Sequence, residues 1–255
     1  MKTKSLFEEL IEDLAQDKEI VKSLKPKDHL CEKIFKLNDG EYFVKDEIRT
    51  KLLEITNSFM EFLGVEFFIH DVVLTGSLVN YNWSEYSDLD LHILIDFEDA
   101  KYDYKLLKEF FDAKEKVWKE KHNIKIKGHD VEIYPQDTNE KHISSGVYSI
   151  LNNEWIVKPE KSKPNIDDRK IIEKGEEYGK QIDLLLNDFN DGKDVEKVVS
   201  TLYKKIKTFR QSGLESGGEY SYENLTFKLL RRNGYIGKLL DLKTKVIDNK
   251  LSVRQ

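Results

Sequence analysis

The sequence predicts an α/β (α+β) fold, with a core of strands and flanking helices at residues 1–160 and a C-terminal helical domain at 165–255. Three observations carry this expectation. Strand-length apolar runs cluster between residues 66 and 157. Apolar residues at helical spacing precede those runs and interrupt them once. Beyond Pro164 only helical spacing remains.

The elements follow in order. Leu6, Phe7, Leu10, Ile11 and Leu14, then Ile20, Val21 and Leu24, recur every three or four residues and predict a first helix ended by Pro26. Ile48, Leu52, Ile55, Phe59 and Leu63 predict a second over 45–63, stopped by Gly64. Both are expected in the core domain. Strands are predicted at 66–75 and 89–97. A helix over 102–121 would turn Leu106, Leu107, Phe110, Phe111, Val117 and Trp118 inward. Further strands are predicted at 123–127 and 130–135. Asn152-Asn153 joins two more, because asparagine tolerates the left-handed angles of a tight turn. Pro159 and Pro164 bracket a Lys-rich connection, the expected domain boundary. Helices are then predicted over 171–189, 195–209 and 222–246, the last interrupted near Gly234 or Gly237. The Gly- and Ser-rich stretch 212–218 reads as a loop, without the Lys-Ser or Lys-Thr of a phosphate-binding loop.

Composition narrows the function classes. Apolar residues make up 39% of the chain and charged residues 35%, enough for a core under a heavily charged surface. No apolar run reaches the roughly 20 residues of a membrane span. The first residues are too acidic for a signal peptide. Cys31 is the only cysteine, so no intrachain disulfide and no cysteine-rich zinc site can form, and a reducing, cytoplasmic setting is expected. Residues 201–255 hold 12 Lys and Arg against 5 Asp and Glu, a net +7 in a chain of net −6. Such asymmetry marks either a solvated helical face or a surface for a polyanion. Lys204, Lys205, Lys207, Arg210, Lys228, Arg231 and Arg232 are its candidate ligands for a triphosphate or RNA.

The chemistry is concentrated in one stretch. Gly76-Ser77 ends an apolar run, and after a spacer of ten residues Asp88-Leu89-Asp90 opens another. Residues two apart in a strand share a face, with Cα atoms ~7 Å apart. Asp88 and Asp90 therefore aim side by side, and His92 shares their face. Paired carboxylates repel unless a cation sits between them. Hard divalent ions take such oxygens and keep positions open for phosphates. Glu132 supplies a third acid, in a strand where it alternates with Val131 and Ile133. Asp130 and Tyr134 share its face. Two metal ions ~4 Å apart on such a triad would activate the attacking oxygen and stabilise the leaving phosphate.

Taken together, Gly76-Ser77, Asp88-Leu89-Asp90 and Glu132 resemble the nucleotidyltransferase superfamily of the DNA polymerase beta-like fold. Ser87 before the first aspartate also fits small members. The wording of the segment resembles phage-encoded nucleotidyltransferases. Many antibiotic-modifying and toxin-type members carry Arg-Gly shortly after Gly-Ser, whereas this chain has Leu78-Val79-Asn80-Tyr81. The resemblance implies a mixed, mostly antiparallel sheet. It implies Mg2+ (or Mn2+) on Asp88, Asp90 and Glu132, and a nucleoside triphosphate such as ATP gripped at Gly76 and Ser77. The implied reaction moves a nucleoside monophosphate to an acceptor hydroxyl or phosphate and releases pyrophosphate. Cyclic or linear oligonucleotide synthesis on a second nucleotide, RNA 3′-end addition, and an inactive nucleotide- or RNA-binding relative are the alternatives. Around this site, His92 is expected to be structural, with metal ligation the alternative. Ser144 and Ser145 are read as loop residues that could touch phosphate or ribose. Tyr148 and Trp155 either pack the hairpin or stack a base. His129 and His142 receive no role.

Overall fold

The computed structural model describes residues 6–98, 102–140 and 144–253. They form two compact units, one of residues 26–163 and one of residues up to 25 together with those from 164 onward. The chain enters through α1 (Leu6–Ser23), which belongs to the second of these.

The 26–163 unit begins with β1 (Phe35–Asn38) and β2 (Glu41–Val44), a hairpin whose two turn residues, Asp39 and Gly40, both have positive φ. Asp-Gly is the dipeptide that such a turn selects, so this hairpin was signalled in the sequence although no strand is predicted there. Next comes α2 (Asp46–Leu63), which buries Ile48, Leu52, Phe59 and Leu63 on one face. Asp46 and Glu47 stand in its first turn, where negative charge suits the helix dipole. The main sheet follows: β3 (Ile69–Thr75), β4 (Leu89–Ile95), β5 (Lys125–Ile126), β6 (His129–Asp137), β7 (Val147–Ser149) and β8 (Glu154–Val157). Their order across the sheet is β5-β6-β4-β3-β7-β8. The β4–β6 pair is parallel and the other pairs are antiparallel, so the sheet is mixed and mostly antiparallel. Along β4, Leu89, Leu91, Ile93 and Ile95 are buried while Asp90, His92 and Leu94 are half-buried. That alternation is what a strand with one core face requires.

Connecting β4 to β5 is α3 (Tyr104–Lys121), whose Asp103 cap accepts from the Leu106 N–H. It buries Leu107, Phe111 and Trp118. Trp118 meets Phe59 of α2 edge-on, with ring centroids 5.3 Å apart. The expected inward stripe was too wide: Leu106 and Val117 are exposed, because they lie one residue off the 107–111–118 face. In the hairpin of β7 and β8, Asn153 alone takes the left-handed conformation.

The other unit is helical: α1 with α4 (Asp168–Asn190), α5 (Glu196–Gly217), α6 (Tyr222–Arg232) and α7 (Tyr235–Leu251). Two expectations are corrected here. The first helix does not join the strand-bearing core; its Ile20, Val21 and Leu24 pack with Ile171, Ile172, Leu225 and Leu229. A single apolar stripe says that a helix is buried, not against what. Nor is 212–218 a loop. Helix α5 runs through to Gly217, and Gly213 is buried against α6. A Cβ at Gly213 would lie 2.5 Å from the Glu223 Cβ. Glycine there serves close helix packing rather than a turn. The break near Gly234 is present, and Gly234 has φ 76°.

This distinction is measurable. Gly213→Val should destabilise the chain by ~1–3 kcal/mol, the range for overpacking. Urea unfolding of the two proteins decides it; equal midpoints would mean that Gly213 is not packed against α6.

Candidate active site

The site is built where β3 and β4 run side by side. Thr75 at the end of β3 pairs with Asp90. The next residue, Gly76, has φ 78° and ψ −163°, a conformation essentially reserved for glycine. Its missing side chain matters as much, since a Cβ there would overlap the Asp90 carboxylate. The Gly76 backbone therefore presses directly on that group. The Gly76 N–H points at Ser144 Oγ, at a long 3.4 Å.

Ser77 opens a 3-10 turn, Ser77–Val79, anchored by buried Leu78 and Val79. Its hydroxyl donates to Ser87 Oγ at 2.8 Å. Ser87 Oγ also accepts from the Ser84 N–H at 3.0 Å. Buried His129 donates from Nδ1 to the Ser87 carbonyl at 2.7 Å. The turn that delivers Asp88 is thus tied at three points. His129 carries no motif in the sequence; its partner lies 42 residues away, and only the β6–β4 pairing brings them together.

The third acid comes from β6. In the parallel ladder Asp90 is opposite Glu132, and His92 is opposite Tyr134. Neighbouring strands are ~4.8 Å apart, so the Asp90 and Glu132 side chains emerge side by side. Asp130 is placed differently: it pairs with Lys125 at 2.7 Å and its side chain is 52% exposed, against 21% for Glu132. His92 faces the Tyr134 ring, with centroids 5.2 Å apart.

Glu132 has two further partners. Lys119, in the last turn of α3, forms an ion pair with Oε1, and the Tyr134 hydroxyl donates to Oε2. Burial works against the Lys119 charge, but Glu132, Asp88 and Glu115 outweigh it and hold its pKa above the ordinary value. Burial and then the Glu132 hydrogen bond push Tyr134 upward, with Asp90 and Glu115 adding to it. Burial also raises Glu115, and Glu132 and Asp112 reinforce that against the pull of Lys119. Lys119 and Tyr134 complete the electrostatics of the site. Tyr134 was visible on the Glu132 face; Lys119 arrives from a helix whose position the sequence does not specify.

Asp90 and Glu132 are thus gathered at neighbouring strand positions, with Gly76 and Ser77 just past the end of β3 and Asp88 at the entrance to β4. Among the described residues, no three Asp, Glu, His or Cys side chains already converge on one ion. Glu132 is instead turned to Lys119 and Tyr134. The donor set nevertheless fits a hard cation: the Asp90 and Glu132 carboxylates come from paired positions of neighbouring strands, and the bare Gly76 backbone leaves room for the first of them.

Other candidates have different placements. Tyr148 is fully buried, and half-buried Trp155 stacks on Phe35 at 5.6 Å while its Nε1–H donates to the Tyr42 carbonyl. Both pack the hairpin rather than waiting for a base. Ser145 accepts from the Asn80 side chain, and Ser144 donates to the Gly146 carbonyl at 2.7 Å. His142 lies outside the described residues. In the helical unit, Arg210 stacks on Phe227 at 4.4 Å and donates to Asn224. Lys228 is pushed down to about 8 by burial and by neighbouring Arg232, Arg231 and Arg210, against the pull of Glu219. Lys205 and Lys207 lie over the rings of Tyr178 and Tyr203. Lys204 and Lys205 line an open groove with Thr201, Thr208 and Ser212.

Residues 53–157 match the family model described as "Nucleotidyltransferase domain". That segment is similar to the nucleotidyltransferase superfamily. The matched segment holds Gly76, Ser77, Asp88, Asp90 and Glu132 alike. Among solved structures, the STING-associated CdnE c-di-GMP synthase from Capnocytophaga granulosa is similar with a TM-score of 0.23 and 15% identity, over 81% of this chain and 84% of that one. No curated protein matches the chain in sequence. No helix among the described residues is long and apolar enough to cross a membrane.

The Gly76 cradle makes a sharp expectation. Gly76→Ala combines a forbidden φ with displacement of Asp90, so it should cost ~1–3 kcal/mol of stability. Chemical denaturation of the nucleotide-free chain measures this. An unchanged stability would mean that Gly76 does not sit on Asp90.

Proposed function

We propose that this domain is a divalent-metal-dependent nucleotidyltransferase that moves a nucleoside monophosphate from a nucleoside triphosphate to an acceptor hydroxyl or phosphate. The acceptor oxygen bonds to the α-phosphorus, the bond from that phosphorus to the bridging oxygen breaks, and pyrophosphate leaves. A hydroxyl acceptor gives up one proton, and a phosphate acceptor attacks as its oxyanion. The observation that carries the reading is the pairing of Asp90 with Glu132, under the backbone of Gly76.

Each residue has a part. Asp88, Asp90 and Glu132 would hold Mg2+ (or Mn2+), which when bound neutralises phosphate charge and orients the reacting oxygens. Gly76 offers a backbone free of side chain for close approach by the β- and γ-phosphates. Ser77 contributes the adjacent amide and hydroxyl. Its bond to Ser87 also ties the phosphate side of the site to the turn before Asp88. Glu132 orients the acceptor and takes the proton of a hydroxyl one. Tyr134, donating to one Glu132 oxygen, keeps that carboxylate aimed. Positioning and charge neutralisation supply most of the rate in such reactions.

The test is turnover. The purified chain is incubated with each labelled triphosphate and Mg2+, with and without transfer RNA, and pyrophosphate is measured. A small labelled product identifies a nucleotide acceptor, and labelled RNA identifies an RNA acceptor. No pyrophosphate under any condition would contradict the proposal. Asp88→Ala and Asp90→Ala should abolish turnover with the fold retained. Glu132→Gln should lower it at least ~100-fold, within the range of acid–base groups, while Asp130→Asn costs far less. The reverse order for Glu132 and Asp130 would contradict the assignment of the third acid.

Ser77→Ala keeps the amide and removes the hydroxyl. Triphosphate binding should weaken by ~1–2 kcal/mol, the scale of a hydrogen bond to a charged group. Equal affinities in a calorimetric titration would show that the hydroxyl serves only Ser87.

A further inference from the structure

We propose that Lys119 is a counter-cation built into the site: it holds Glu132 while no divalent ion is bound, and yields that carboxylate when one binds. The inference rests on the metal-dependent reading above.

Lys119 and Tyr134 take different oxygens of Glu132, Oε1 and Oε2 respectively. A divalent ion can replace the ammonium on one oxygen while the tyrosine still donates to the other. An ammonium and a divalent ion cannot crowd the same oxygen, because like charges that close repel strongly. The partners also differ in freedom. Glu132 is fixed in the middle of β6, paired with Asp90, and only 21% of its side chain is exposed. Lys119 reaches in from the last turn of α3 on a four-carbon stem, with 62% of its side chain exposed. Swinging the ammonium into water keeps it hydrated and leaves the backbone in place.

There is a physical reason for a resident positive charge. Asp88, Asp90 and Glu132 are held by the turn and ladder whether or not a cation is present. Without one, their mutual repulsion opposes folding. A lysine that withdraws answers this without permanently closing the site. It also sets a threshold, since a divalent ion must displace Lys119 before the third carboxylate is available.

Titrating Mn2+ into the nucleotide-free full chain, with free Mn2+ read by electron paramagnetic resonance, tests this. Lys119→Met should bind Mn2+ roughly three- to tenfold more tightly than the unmodified chain, the scale of losing a competing ion pair and one nearby positive charge. Lys119→Arg, which keeps the charge, should bind no more tightly. Asp90→Asn should bind far more weakly. If Asp90→Asn loses Mn2+ while Lys119→Met matches or falls below the unmodified chain, the counter-cation role is overturned and the metal site stands. If Asp90→Asn binds as well as the unmodified chain, the metal site itself is wrong, and this role with it. Melting gives a second readout. In EDTA, Lys119→Met should melt below the unmodified chain, and saturating Mn2+ should close the gap. A gap that Mn2+ leaves unchanged would mean Lys119 merely supports α3, and would overturn the proposal.

Discussion

Asp90 and Glu132 lie opposite each other because β4 and β6 run parallel in one fixed register. Most of the site depends on that pairing. A slip of one residue would present Val131 or Ile133 instead of Glu132 and turn the acid to the other face. The register is held by burial: Leu89, Leu91, Ile93 and Ile95 from β4 and Ile133 from β6 lie in the core. The same pairing brings His129 to the Ser87 carbonyl and so fixes the turn that carries Asp88. On the other edge of β4, the antiparallel β3 delivers Gly76 to the Asp90 carboxylate. The apolar face of the sheet thus sets the geometry of the polar one.

That geometry brings the Asp90 and Glu132 carboxylates to neighbouring positions of the sheet. Close carboxylates each raise the cost of ionising the other. Lys119 and the Tyr134 hydroxyl meet this cost at Glu132; burial first raises Glu115 and Tyr134, and neighbouring carboxylates add to it. On the proposed reading, a cation that brings phosphates with it relieves that crowding.

The legible part of the site was the part written in local spacing. Gly76-Ser77 and Asp88-Leu89-Asp90 are short patterns whose geometry follows from strand alternation, and Glu132 stood out between Val131 and Ile133. The mixed sheet came from the family resemblance; no local pattern states which strands pair. Lys119 and His129 were out of reach for the same reason: their roles arise from contacts across 13 and 42 residues that depend on how α3 and β6 dock. Elsewhere, local patterns misled. Glycines at 213 and 217 read as a loop because glycine usually breaks helices, yet close packing against α6 also selects glycine. The stripe on α1 was correctly apolar, but its partners are separated from it by more than 140 residues of chain.

The most direct measurement is a crystal structure with Mn2+ and a non-hydrolysable triphosphate, with the metal located by its anomalous scattering. Mn2+ should be bound by carboxylate oxygens of Asp88, Asp90 and Glu132, with phosphates against the Gly76–Ser77 backbone and the Lys119 ammonium withdrawn from Glu132. Metal bound away from these carboxylates, with the Lys119–Glu132 pair intact beside a bound triphosphate, would contradict the proposed site.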